Sequence, residues 1–342
     1  MSNIRQELTD KFVAAIEAGC PPWRAGWTMS SPPMNPSTSR QYSGLNRLIL
    51  MQAVADCGGE FRFMTLRQAS AMGYKIRAGS KAFRIIRVAE VDKKPNEAAP
   101  ENAEVVAEDK AKRLILRVHH VFNGNDIEGL PPAEKPSAPI EPVVAAQQVV
   151  DGMKATGLVV LEGGDKACYM PKSDTIRMPD RWRFKGGSNG TATAEWWATI
   201  LHECCHSTLN ERRMNRKIVR TGTEGTAREE LRVEIASAFL CQELGIPQAA
   251  SLLDSHSSYL ADWASALRSD PQEIIKAASD AQKIADYLIG HALKPEAKVE
   301  AKVEPVVTAQ PVVTAEPVVA ATVMAEAANQ AAPKRRRYGA RM

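Results

Sequence analysis

Residues 191–210 read TATAEWWATILHECCHSTLN, and this stretch decides what the chain can be. Thr191 or Thr193 suits a helix start, because a threonine oxygen accepts a bond from a free N–H of the first turn. The run WWATIL predicts that the helix is packed into a core. His202-Glu203-Cys204-Cys205-His206 follows, which is the HExxH pattern. Positions i and i+4 lie on one helix face, so both imidazoles can bind one divalent ion, zinc by the donor types. Glu203, about 100° further round, points at a water in the metal's open position and suits a general base. Cys204 and Cys205 fill the variable positions and read as small buried residues.

A catalytic zinc takes a third protein ligand. Glu229, Glu230 and Glu234 lie on the next expected helix, TAREELRVEIASAFLCQELGI from residue 226. Glu230 and Glu234 share a face one turn apart. The expectation is Glu230 as ligand, with Glu234 holding a ligating imidazole by its other ring N–H; the reverse assignment stays open. Upstream, GLVVLEG (157–163) predicts a strand. ACYMPKSDTIRMP (167–179) predicts a hairpin turning at Pro-Lys-Ser-Asp, with an edge that could meet an extended peptide. Helices are expected at 143–156, 248–267 and 271–292.

The first half reads differently. Helical spacing covers 4–18 and 44–55, and strand character covers 61–65, 82–91 and 114–122. Residues 1–90 carry twelve Lys or Arg against six Asp or Glu, whereas the whole chain of 342 residues is only +4. That asymmetry points to a polyanion. A binder of single strands combines cations for the backbone with rings for the bases. Arg40, Arg67, Lys75, Arg77 and Lys81 are the cation candidates, with Arg47 among the surrounding basic residues, and Tyr42 and Tyr74 are the ring candidates. KIRAGSK (75–81) reads as a polar turn that a phosphate can approach.

The expected organisation is an α+β domain at 1–130 with a mobile insertion at 92–111, a linker at 131–142, and a second domain at 143–293. A disordered Pro/Ala/Val repeat tail at 294–342 ends in the basic KRRRYGARM. No stretch approaches the roughly 20 apolar residues of a membrane span, and the N-terminus lacks a signal-peptide core. Six cysteines form no disulfide framework, which suits the cytoplasm.

Several blocks occur together in one order. RQELTDKFVAAIEAGCPPWRAGW, YSGLNRLIL, FMTLRQASAMGYKIRAGSKAFRII and VFNGNDIEGLP lie in the first half. WWATILHECCHSTLNERR, AREELRVEIASAFLCQELGI and SYLADWASALRSD lie in the second. From about residue 4 to 292 the chain resembles ArdC-type antirestriction proteins of conjugative plasmids. The resemblance implies an N-terminal domain that binds single-stranded DNA, followed by a zincin-like metallopeptidase domain of gluzincin type. It puts the third ligand in EELRVE, in line with Glu230. The first part is also similar to the start of TraC-type plasmid primases. The implied function is protection of incoming single-stranded plasmid DNA from host restriction during conjugation. Two alternatives stay open: a zinc metallopeptidase that cleaves a host protein, using DNA binding for delivery, and a primase-associated module of plasmid transfer. The tandem cysteines and the tail depart from the family pattern.

Overall fold

Leu8, Phe12 and Ile16 recur at helical spacing, and α1 (Ile4–Glu17) forms there with all three buried. The computed structural model describes residues 4–19, 21, 23, 31–92, 103–108, 112–133, 142–186, 191–218, 222–247 and 259–292. The expected tail, most of the linker and residues 187–190 lie outside the described residues.

After α1 come a two-residue hairpin, β1 (Met34–Asn35) with β2 (Arg40–Gln41), and then α2 (Gly44–Asp56). β3 (Phe63–Met64) leads into α3 (Leu66–Ala71), which a reciprocal capping box between Thr65 and Gln68 starts. β4 (Lys75–Ile76) is followed by β5 (Phe83–Asp92), β6 (Ala103–Glu108), β7 (Lys112–Asn123) and β8 (Ile127–Glu128). β7 is central: β5 pairs along one edge, and β3 and β6 pair on the other, all antiparallel. β4 pairs with β8.

Residues 103–108 were expected within a mobile insertion and instead form β6. Averaged over twenty residues the insertion is acidic and poor in large apolar groups. AEVVAE alone is strand-competent, and it covers the β7 edge that two-residue β3 leaves open. The rest of the insertion, 93–102 and 109–111, lies outside the described residues.

The second half opens with α4 (Pro142–Ala155), β9 (Val159–Glu162), β10 (Cys168–Met170) and β11 (Thr175–Met178). β10 and β11 form the expected hairpin, and β9 pairs parallel to β11, giving the order β10-β11-β9. Ile176 and Met178 on β11 are buried, and β10 and β11 pack on α5 (Ala192–Ser207). Thr191 is the cap of α5, its hydroxyl accepting from the Ala194 N–H at 3.2 Å. α6 (Gly222–Leu244), α7 (Tyr259–Ser269) and α8 (Glu273–Ala292) complete the fold. Among the described residues no helix is long and apolar enough to cross a membrane.

One hydrophobic core runs through both halves, because α1 packs on α7 and α2 on α8. Trp23 meets Trp263 edge-on at 6.0 Å, both fully buried. Arg47 is not a surface cation. It is completely buried, donating to the Gln242 side chain at 2.8 and 3.1 Å, to Glu243 at 2.9 Å and to the Phe239 carbonyl at 2.9 Å. The residue ties α2 to α6. Gly152 allows α4 to approach α8, since a Cβ there would stand 2.7 Å from the His291 carbonyl oxygen.

Candidate metal centre

α5 is buried along nearly its whole length, so its polar residues need partners inside the fold. His202 and His206 lie one turn apart, with ring centroids 5.0 Å apart, and α6 brings three carboxylates against them. Glu230 lies between the rings: one oxygen is 3.7 Å from His202 Nε2 and the other 3.5 Å from His206 Nε2. Each remaining ring nitrogen faces its own carboxylate. His202 Nδ1 is 3.8 Å from Glu234, and His206 Nδ1 is 3.7 Å from Glu229.

Glu229 is held in turn. Arg216 grips it through two bonds of 2.7 and 2.8 Å, and Arg216 also donates to Thr208 Oγ1 at 2.8 Å and to the Cys205 carbonyl. The C-terminal end of the histidine helix thus fixes, through Arg216, the carboxylate that faces His206 Nδ1. Such outer contacts set the ring orientation and tautomer that a metal ligand needs.

Burial alone would discourage charge on His206, but Glu229 and Glu230 outweigh it and push the imidazole up to about 10. Burial would likewise raise Glu230, yet His202 and His206 hold it well below the ordinary carboxylate range. The cluster therefore attracts positive charge strongly. One donor atom each from His202, His206 and Glu230 lie within 4.8 Å of one another. Two imidazoles and a carboxylate, facing a cleft on the remaining side, fit a divalent cation with an open position.

That cleft has a volume of about 830 Å³. Glu203 lines it beside the three donors, and Tyr169 of β10, Phe184 and Tyr259 form other parts of its wall. The hairpin is locked in place by buried Arg213, which pairs with Asp174 and donates to the Ser207 carbonyl at 2.7 Å. Cys204 and Cys205 are fully buried and do not line the cleft. Burial first, then the charge of Glu203, pushes the Cys204 thiol up to about 12, so it stays neutral.

The seven residues expected to hold DNA are not brought together. Arg67 and Tyr42 line one groove, and Arg40 on β2 pairs with Asn35 of that same groove. Tyr42 is anchored, donating its hydroxyl to the Phe63 carbonyl at 2.9 Å. Burial pushes its phenol up to about 12, with Asn35 acting against it. Tyr74 packs in a small cluster with Met64, Ala69 and Ile127. Lys75 pairs in register with Glu128, and Arg77 lies 3.9 Å from the same carboxylate. Lys81 extends over the Phe83 ring, lining a separate groove between α1 and α2. Sequence reading named Glu229 without a role and did not single out Arg216, which lies in a loop with no periodicity to flag it.

Over residues 2–122 the sequence matches the family described as the N-terminal domain of anti-restriction factor ArdC, and over 147–280 that described as zincin-like metallopeptidase. The fold matches the metal-free crystal structure of antirestriction ArdC protein from the R388 plasmid at 29% identity and a TM-score of 0.67. That match covers 85% of this chain and 98% of the other. The chain belongs to the ArdC-type antirestriction family. The Mn(II)-bound structure of the R388 ArdC protein matches at a TM-score of 0.65 with the same 29% identity, covering 85% of this chain and 99% of that one. Among curated proteins, Uncharacterized protein y4eC of Sinorhizobium fredii is 31% identical over 304 residues, covering 87% of this ArdC-type chain and 94% of the relative. A DNA primase TraC of Escherichia coli is 32% identical over 318 residues, spanning 88% of this chain but 28% of the primase. A second TraC of that organism is 33% identical over 301 residues, 84% of this chain and 20% of the primase.

Proposed function

We propose that this ArdC-type chain binds incoming single-stranded plasmid DNA in the cytoplasm of a recipient cell and shields it from restriction. The same chain carries a divalent metal, zinc by donor preference, on His202, His206 and Glu230. The carrying observation for the metal is the convergence of those three donors on one open cleft. Family membership supports the antirestriction role. The domain division at 1–130 and 143–293 is kept as part of this reading, with DNA in the first and metal in the second.

When bound, the metal would supply Lewis acidity toward an oxygen in the cleft. The chain's own groups do the rest. Glu229 and Glu234 face the Nδ1 edges of the two rings, and Glu203 sits where a carboxylate can take a proton from a water. β10 is an edge strand whose residues line the cleft, leaving backbone groups able to pair with an extended peptide. This last feature supports the alternative in which cleavage of a host protein is the protective step. The likeness to parts of TraC primases supports a third reading, a module of plasmid transfer replication.

The experiment is conjugation into a restricting recipient, comparing wild type with Glu203→Ala, alongside single-strand binding by both purified proteins. The shield reading expects the variant to bind DNA and protect as well as wild type. Retained binding with lost protection would instead establish the peptidase alternative. Wild type that gives no protection while complementary-strand synthesis depends on it would establish the third.

A further inference from the structure

The face that α3 and Tyr42 overhang on the N-terminal sheet carries a groove of about 890 Å³. Register puts Ile85 opposite His119 and Arg87 opposite Arg117 across β5 and β7, so these four side chains share one face. Ile85, Arg87 and His119 line the groove, and Arg117 continues the same face beyond it. Leu66 and Arg67 of α3 form a rim, with Leu66 56% exposed. No aspartate or glutamate is among the residues that line it.

Two arginines placed directly opposite on neighbouring strands repel, and a fold normally avoids this or supplies a carboxylate between them. Here Arg117 Nε and His119 Nε2 are buried and make no hydrogen bond among the described residues. Burial first, then the charges of Arg87 and Arg117, hold the His119 imidazole below its ordinary value, as a positive potential requires. The contrast with KIRAGSK is direct. There Glu128 stands against both Lys75 and Arg77 and cancels part of their field. Cations that no described lining residue neutralises, beside apolar and aromatic surface, are what a polyanion with bases needs.

We infer that a single DNA strand lies in this groove, its phosphates against Arg67, Arg87 and Arg117 and its bases toward Leu66, Tyr42 and His119. This rests on the DNA-binding reading proposed above and gives it a location. The test is fluorescence anisotropy of a labelled 15-mer oligothymidylate with the full chain over a salt series. Three proteins are compared: wild type, Arg67→Glu/Arg87→Glu, and Lys75→Glu/Arg77→Glu/Lys81→Glu. Arg67 and Arg87 are exposed, so the groove variant should keep the wild-type melting temperature and circular dichroism. The expected result is a loss on the order of ten- to a hundred-fold for the groove variant, with a salt slope shallower by about 2. The KIRAGSK variant should stay within about three-fold, since Lys75 and Arg77 are already partly neutralised by Glu128 and Lys81 lies over Phe83 in a separate groove. A larger or equal loss in the KIRAGSK variant would overturn the groove while leaving DNA binding intact. Wild type that fails to bind the oligonucleotide overturns the underlying reading and the groove with it.

Discussion

The candidate metal centre and the sheet groove are both clusters of charge, but they are built in opposite senses. At the centre, Glu203, Glu229, Glu230 and Glu234 surround two imidazoles, with Arg216 offsetting one carboxylate. In the groove, Arg67, Arg87 and nearby Arg117 have no carboxylate among the described residues that line it. Elsewhere the fold pairs its buried charges closely: Arg228 and Arg232 share Glu273, and Arg47 takes Glu243. At these two surfaces one sign is in surplus among the described residues, and each surplus names the sign of what it would bind.

If that contrast is right, neutralising a charge inside a satisfied pair should harm folding, and neutralising one in a surplus should harm binding. Arg47→Ala is the largest expected effect on stability. It strands Glu243 and the Gln242 and Phe239 acceptors beside the core, which should lower unfolding free energy by about 3–5 kcal/mol. Urea denaturation measures it, and a cost under about 1 kcal/mol would show that the α2–α6 tie is dispensable. Glu230→Gln should do the reverse, melting near wild type while zinc affinity by calorimetry falls furthest of any single variant. Glu229→Gln breaks the pair with Arg216 as well as removing the carboxylate that faces His206 Nδ1, so it should lower stability and also weaken zinc by roughly 10- to 100-fold. A Glu229 effect larger than that of Glu230 would reverse their roles.

The sequence shows local chemistry far better than it shows pairing. The HExxH helix, its Thr191 cap and the turn at Pro171–Asp174 are each set by neighbours within a few residues, and all three stand where spacing put them. Glu230 also faces the imidazoles from the side that helical periodicity aims it, which it shares with Glu234. Arg216 was not, because its partner is 13 residues away and reached through a loop. Arg47 left a signal that composition counting passed over: it lies beside Leu48 and one turn before Met51, on the stripe that α2 buries. The tie between Glu128 and KIRAGSK, and the meeting of Arg87 with Arg117, depend on strand register, which no local window contains.

The smallest effect worth measuring tests whether the groove wall is rigid scaffold or adaptable surface. The Tyr42 ring, like Phe61 and Phe83, packs against the cluster that holds Leu50 and Phe63, and its hydroxyl donates to the Phe63 carbonyl. Tyr42→Phe keeps the ring and deletes that bond, so stability should fall by about 0.5–1.5 kcal/mol. The ring remains available to a base, so affinity for the oligothymidylate should change less than two-fold if stacking alone is used. A larger loss of affinity with unchanged stability would mean that the hydroxyl faces the strand when DNA is bound. The wall would then have to move, and the groove would be formed by its ligand rather than waiting for it.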